Sequence, residues 1–114
     1  MLLFFGSGRE GLMLGLLRVL HSFTGSDGEQ PLSGVVIDAQ GNLFGTTFGD
    51  NQNNYGTVYE LTPTGVLKTL YSFTGGVDGG QPQSRVVLDA DGNLYGTTAN
   101  GGAYNDGAVF KITP

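Results

Sequence analysis

From Val35 onward the chain breaks into short runs of alternating apolar and polar residues, each run ended by Gly, Asn, Asp or Pro. Val35–Asp38 is β-branched and apolar, Ala39–Asn42 is turn-forming, and Leu43–Thr47 resumes as a second run, which together predict a hairpin. A polar loop over 49–54 follows. Thr57–Thr62 then alternates with period two, which directs Tyr59 and Leu61 to one face and Glu60 to the other, towards solvent. Pro63-Thr64-Gly65 turns the chain into a longer strand, Val66–Thr74. No apolar stripe at helical spacing survives between the Gly and Pro breaks, which argues against helical repeats.

The same pattern is then written again. Residues 15–63 align with 65–114 at an offset of 50, rising to 51 at the inserted Val77, and roughly 27 of 49 positions are identical. Val86–Asp89 repeats the first strand, Leu94–Thr98 the second, and Val109, Phe110 and Ile112 stand for Val58, Tyr59 and Leu61. Glu60 becomes Lys111, a charge reversal at the position expected to face water. The organisation predicted is therefore residues 1–14 as an irregular leader outside the repeat, 15–64 as repeat 1 and 65–114 as repeat 2. A unit repeated in this way buries its apolar faces against a neighbour like itself. Four strands per repeat is the size of a β-propeller blade, and a sandwich of two four-stranded sheets is the competing architecture.

Composition narrows the function classes. Apolar content of 39% is too high for a disordered chain, so the 21 glycines read as turn punctuation between strands. A net charge of −5 with five scattered basic residues argues against a nucleic-acid surface. The absence of cysteine excludes disulfide and thiolate chemistry. Residues 1–14 lack the charged start, unbroken apolar run and cleavage site of a secretory signal, and no stretch approaches the length of a membrane span.

The residues also carry a resemblance. Leu20-His-Ser-Phe-Thr-Gly25, Asp38-Ala-Gln-Gly-Asn-Leu-Phe-Gly-Thr-Thr47 and Gly56-Thr-Val-Tyr-Glu-Leu-Thr-Pro63 resemble the GloVer-type bacterial tandem repeat. So do Leu70-Tyr-Ser-Phe-Thr-Gly75, Asp89-Ala-Asp-Gly-Asn-Leu-Tyr-Gly-Thr-Thr98 and Gly107-Ala-Val-Phe-Lys-Ile-Thr-Pro114. The resemblance implies an all-β fold of β-propeller blades, two four-stranded repeats forming part of a larger or oligomeric propeller, in an exported or surface bacterial protein. It brings no catalytic residues. By analogy with propellers, Val35–Asp38 is the innermost strand and Val66–Thr74 the outermost, so that 34–74 form one blade. Residues 85–113 then supply the inner three strands of a second blade, and Leu16–Thr24 is an outer strand without a blade. Propellers close with about four to eight blades. Two blades therefore belong either to a longer array or to a ring assembled from several copies.

Candidate chemistry is sparse. Gly6-Ser-Gly-Arg-Glu-Gly11 has dinucleotide-fingerprint spacing, but the helix it needs would run into Leu16–Thr24, so it reads as a Gly-rich leader. Asp89-Ala-Asp91-Gly92-Asn93 invites a calcium reading, yet it lacks the Gly and Glu positions of the EF-hand loop, and its sister copy has Gln40 for Asp91. Asp38 and Asp89 fit turn caps better than paired catalytic carboxylates. His21 stands where the second copy has Tyr71 and reads as an aromatic packing position. Phe23, Phe73, Tyr59, Tyr95 and Phe110 read as core anchors between blades. Neither a metal nor a cofactor is expected.

The expected function is a non-enzymatic repeat module, structural or ligand-presenting, whose partners are further blades from the same or other copies and a glycan or protein ligand. One alternative is a carbohydrate-binding propeller built from two-blade subunits, with the loop aromatics Tyr55 and Tyr104 as candidate binding residues. The other is part of a propeller enzyme of the lactonase or lyase type, which needs a central cluster of acids, His or metal drawn from several blades.

Overall fold

A computed structural model describes residues 15–49 and 54–114. Among these residues seven strands are present: β1 (Val36–Ile37), β2 (Leu43–Thr47), β3 (Thr57–Leu61), β4 (Leu67–Ser72), β5 (Val87–Leu88), β6 (Leu94–Thr98) and β7 (Ala108–Ile112). They form two antiparallel sheets, one of four strands in the order β1-β2-β3-β4 and one of three in the order β5-β6-β7. The described residues contain no helix, and hence none long and apolar enough to cross a membrane. The all-β assignment, the meander order and the placing of β4 with the first sheet all match the sequence pattern.

The registers of the two sheets are the same register written twice. Leu43 pairs with Leu61, Gly45 with Tyr59 and Thr47 with Thr57, while Leu94 pairs with Ile112, Gly96 with Phe110 and Thr98 with Ala108. Each first hairpin is closed by an Asx turn. Asp38 accepts bonds from the backbone N–H of Gln40 and Asn42 at 3.0 and 2.8 Å and from the Asn42 amide at 3.0 Å, and Asp89 does the same with Asp91 and Asn93. Gly45 and Gly96 sit under the rings of their cross-strand partners. A Cβ at Gly45 would lie 2.5 Å from Tyr59 Oη, and one at Gly96 2.5 Å from Phe110 Cζ. Glycine is needed there because a ring occupies the side-chain space.

Successive side chains on a strand point to opposite faces, and both faces of β3 are used. Val58 is fully buried and forms a core with Phe73, Val86 and Leu94, against which Phe44, Leu70, Phe110 and Ile112 pack. This core lies between the two sheets. Tyr59 and Leu61 are buried on the opposite face, where Phe23 packs on Tyr59.

Three sequence expectations are corrected. Leu16–Thr24 is not in a strand: a strand needs a ladder partner, and the segment that precedes Leu16 carries no counterpart of the β3 motif. Glu60 does not face open solvent but is half-buried at a groove between the sheets, because it shares its face with Phe44 and Val58. Tyr95 is not a core anchor. It lies half-exposed on the uncovered face of the second sheet, with Lys111 Nζ 5.6 Å from its ring centre. The dinucleotide-like run 6–11 lies outside the described residues.

Candidate functional site

The loop that precedes each sheet holds a polar arrangement repeated in both copies. In the first copy Asp27 accepts bonds from the Thr24 N–H and hydroxyl at 2.8 and 3.0 Å, and its other oxygen meets His21 Nε2 at 2.9 Å. In the second copy Asp78 takes the same place, bonded by the Thr74 N–H and hydroxyl and by the Tyr71 hydroxyl at 2.7 Å. His21 is thus the substitute for Tyr71, an aromatic ring with a polar tip pointed at the loop carboxylate. Its ring also stands edge-on to Phe23 at 4.7 Å, the packing role expected of it. The Thr24 backbone bond, outweighing desolvation, holds the Asp27 carboxyl below its ordinary value. At Asp78 desolvation works upward, but the bonds from Thr74 and Tyr71 prevail and the carboxyl is again lowered.

These contacts place an aromatic beneath each loop. Phe23 meets Tyr59 edge-to-face at 5.2 Å and 64°, and Phe73 meets Phe110 at 5.2 Å and 62°. One contact therefore docks residues 20–23 on the first sheet, and its repeat docks the end of β4 on the second.

Both hairpin carboxylates are engaged by their own turns, Asp38 by three hydrogen bonds and Asp89 by four. Bonds from the Asn42 side chain and backbone lower the Asp38 pKa. Asp89 also accepts the Tyr95 hydroxyl at 2.9 Å, and with the Asn93 amide as first cause its pKa falls to about 2. A carboxylate so held is permanently ionised near neutrality and serves its turn, not proton transfer. Both hairpins border a groove of about 800 Å³ between the sheets, walled by Phe44, Leu70, Leu88, Leu94 and Ile112 with Glu60 among them.

The two loop tyrosines stand in different surroundings. Tyr55 is half-buried, its ring laid over Gly75 and Gly80, and its carbonyl accepts the Gln81 N–H at 2.6 Å. It links the two repeats. Tyr104 is 87% exposed. Sequence reasoning missed the motif Asp-Gly-x-Gln-Pro, present as 27–31 and 78–82. Its glutamine takes a left-handed backbone in both copies, with φ of 58° at Gln30 and 57° at Gln81. Gln81 is buried and bonds the Asn100 amide through Oε1, and its backbone holds Tyr55 and Ala99. Identity of the motif between the copies was the signal available.

A family model described as the Gloeobacter/Verrucomicrobia repeat matches residues 12–114. The chain belongs to that repeat family. The match covers both copies. No curated protein matches it.

Proposed function

We propose that the chain is a non-enzymatic module of β-propeller blades in an exported or surface bacterial protein, a rigid support that presents loops to a ligand or partner. The observation that carries this reading is the repeated docking contact. Phe73 on Phe110 reproduces Phe23 on Tyr59, so each sheet receives its predecessor's outer segment in the same way, as radial arrays of sheets require. The engaged carboxylates favour a non-catalytic role, since Asp38 accepts three hydrogen bonds and Asp89 four within their own hairpins. Export rests on the family resemblance alone.

The blade reading is tested by crystallography of about six fused copies of the 50-residue unit, within the range in which propellers close. A toroid with a central channel is expected, and a linear stack would overturn the reading. The non-enzymatic part is tested with lactone and uronate-polymer substrates. Turnover that survives purification and disappears in Asp38→Asn or Asp89→Asn would overturn it. Tyr104 favours a second reading, carbohydrate binding, because an aromatic ring this exposed is free to stack on a sugar face. Glycan binding lost in Tyr104→Ala would support that reading.

A further inference from the structure

The groove between the two sheets combines apolar walls with charge of one sign. Phe44 and Leu70 wall it on the first sheet, and Leu88, Leu94 and Ile112 on the second. Among the described residues, the ionisable side chains that line it are Asp38, Glu60 and Asp89, with no Lys, Arg or His. Its volume of about 800 Å³ lies within the range of roughly 300–1,000 Å³ usual for small-molecule sites, which are lined mainly by apolar side chains and a few polar groups.

The three acids reach the groove in different ways. Asp38 and Asp89 hold matching places in the two hairpins, and their own turns keep them ionised and fixed in position. Glu60 comes from the middle of β3, directly opposite Phe44 in the ladder with β2, so the pleat sets it on the groove face. On its other side Lys68 stands opposite it in the ladder with β4, but Lys68 is exposed and forms no ion pair with it. A carboxylate among apolar side chains attracts a counter-charge more strongly than one in open water, because the local dielectric is lower.

We infer that the groove binds a small organic cation, an ammonium group carried on an apolar alkyl or aryl body. The body lies against the wall formed by Phe44, Leu70 and Leu94, and the nitrogen meets Glu60, with Asp38 and Asp89 adding to the attraction. Charge complementarity selects this occupant. A neutral apolar guest would leave the carboxylates unused, and an anionic one would meet three charges of its own sign. A metal ion fits less well, since no three acid or imidazole groups among the described residues come together to hold one, and apolar walls offer no oxygen ligands. The inference needs only the two facing sheets of one chain, so it stands or falls separately from the blade reading.

Three probes with one tail and different heads test it: octylammonium, 1-octanol and octanoate, titrated into the full chain and followed by the methyl resonances of Leu88, Leu94 and Ile112. Saturable shifts are expected with octylammonium in the millimolar range, weaker ones with octanol and weakest with octanoate. Added salt should weaken octylammonium and leave octanol unchanged. Glu60→Gln keeps the side-chain shape and is expected to raise the octylammonium dissociation constant about two- to fivefold without altering the circular dichroism spectrum. Glu29→Gln, which removes a charge outside the groove, should have little effect. No saturation by octylammonium up to about 10 mM would overturn the inference, as would octanol or octanoate binding as tightly. Equal effects of Glu60→Gln and Glu29→Gln would overturn it too, by reducing the attraction to net charge. Shifts of the same methyl groups on dilution of the chain alone would assign the groove to a second copy and overturn it likewise.

Discussion

Phe73 joins the two sheets, and its removal tests whether they form one cooperative body. The side chain is 6% exposed, belongs to the central cluster with Val58, Val86 and Leu94, and meets Phe110 and Tyr71 edge-to-face at 5.2 and 5.1 Å. Phe73→Ala leaves a cavity between two sheets whose backbones are held by their own ladders, so little collapse is available. The expected cost is about 3–5 kcal/mol, against a total of about 5–15 kcal/mol for a domain. Phe23 is its repeat counterpart but only half-buried, because its segment lacks a ladder. Phe23→Ala should therefore cost about 1–2 kcal/mol, in proportion to the smaller apolar area returned to water. Urea unfolding followed by circular dichroism measures both, at one fixed protein concentration so that association contributes equally. The denaturation midpoint should fall much further for Phe73→Ala with little change in slope. Equal costs, or a Phe73→Ala cost under about 1 kcal/mol, would refute the claim that this ring locks the sheets together.

Gly96→Ala should destabilise by about 1–3 kcal/mol, read as a lowered melting temperature, since its Cβ would lie 2.5 Å from Phe110 Cζ inside the packed face. Acid stability should depend on Asp89. Its folded pKa of about 2 lies below the ordinary 3.8, so its contribution is complete above pH 4 and is lost as pH falls from about 4 to 2. In Asp89→Asn the unfolding free energy should slope less steeply with pH across that window, and an unchanged slope would contradict the assignment. Tyr104→Ser should leave the melting temperature within about 1 °C, whereas Tyr55→Ala should lower it by several degrees, because only Tyr55 packs against the glycines of the next repeat.

Strand positions were legible because each repeat states them with its own punctuation. Asp-x-x-Gly-Asn-Leu marks the first hairpin, Pro63-Thr64-Gly65 the last, and the observed strands lie inside the expected runs to within two residues. What the pattern could not convey was which face meets what. Period-two alternation separates Tyr59 from Glu60 but says nothing of a second sheet on the Glu60 side, so a half-buried acid read as solvent-facing. The same gap explains Tyr95: its counterpart Phe44 packs against the inter-sheet core, whereas among the described residues no second sheet lies over Tyr95. Leu16–Thr24 has the composition of a strand, yet pairing depends on a partner that composition does not reveal. The carboxylates were read correctly as turn caps, because a fixed spacing to Gly and Asn is a local property. The inter-sheet loops were not read, since their Asp-Gly-x-Gln-Pro motif acts through backbone geometry and not through any recognised chemical signature.

The central claim is that one aromatic contact, used twice, docks each sheet on the segment before it. Ring-to-ring nuclear Overhauser effects in the purified chain measure it directly. The account predicts cross-peaks between Phe73 and Phe110 and between Phe23 and Tyr59, both from centroid separations of 5.2 Å. Cross-peaks confined within each sheet, with none linking Phe73 to Phe110, would contradict it.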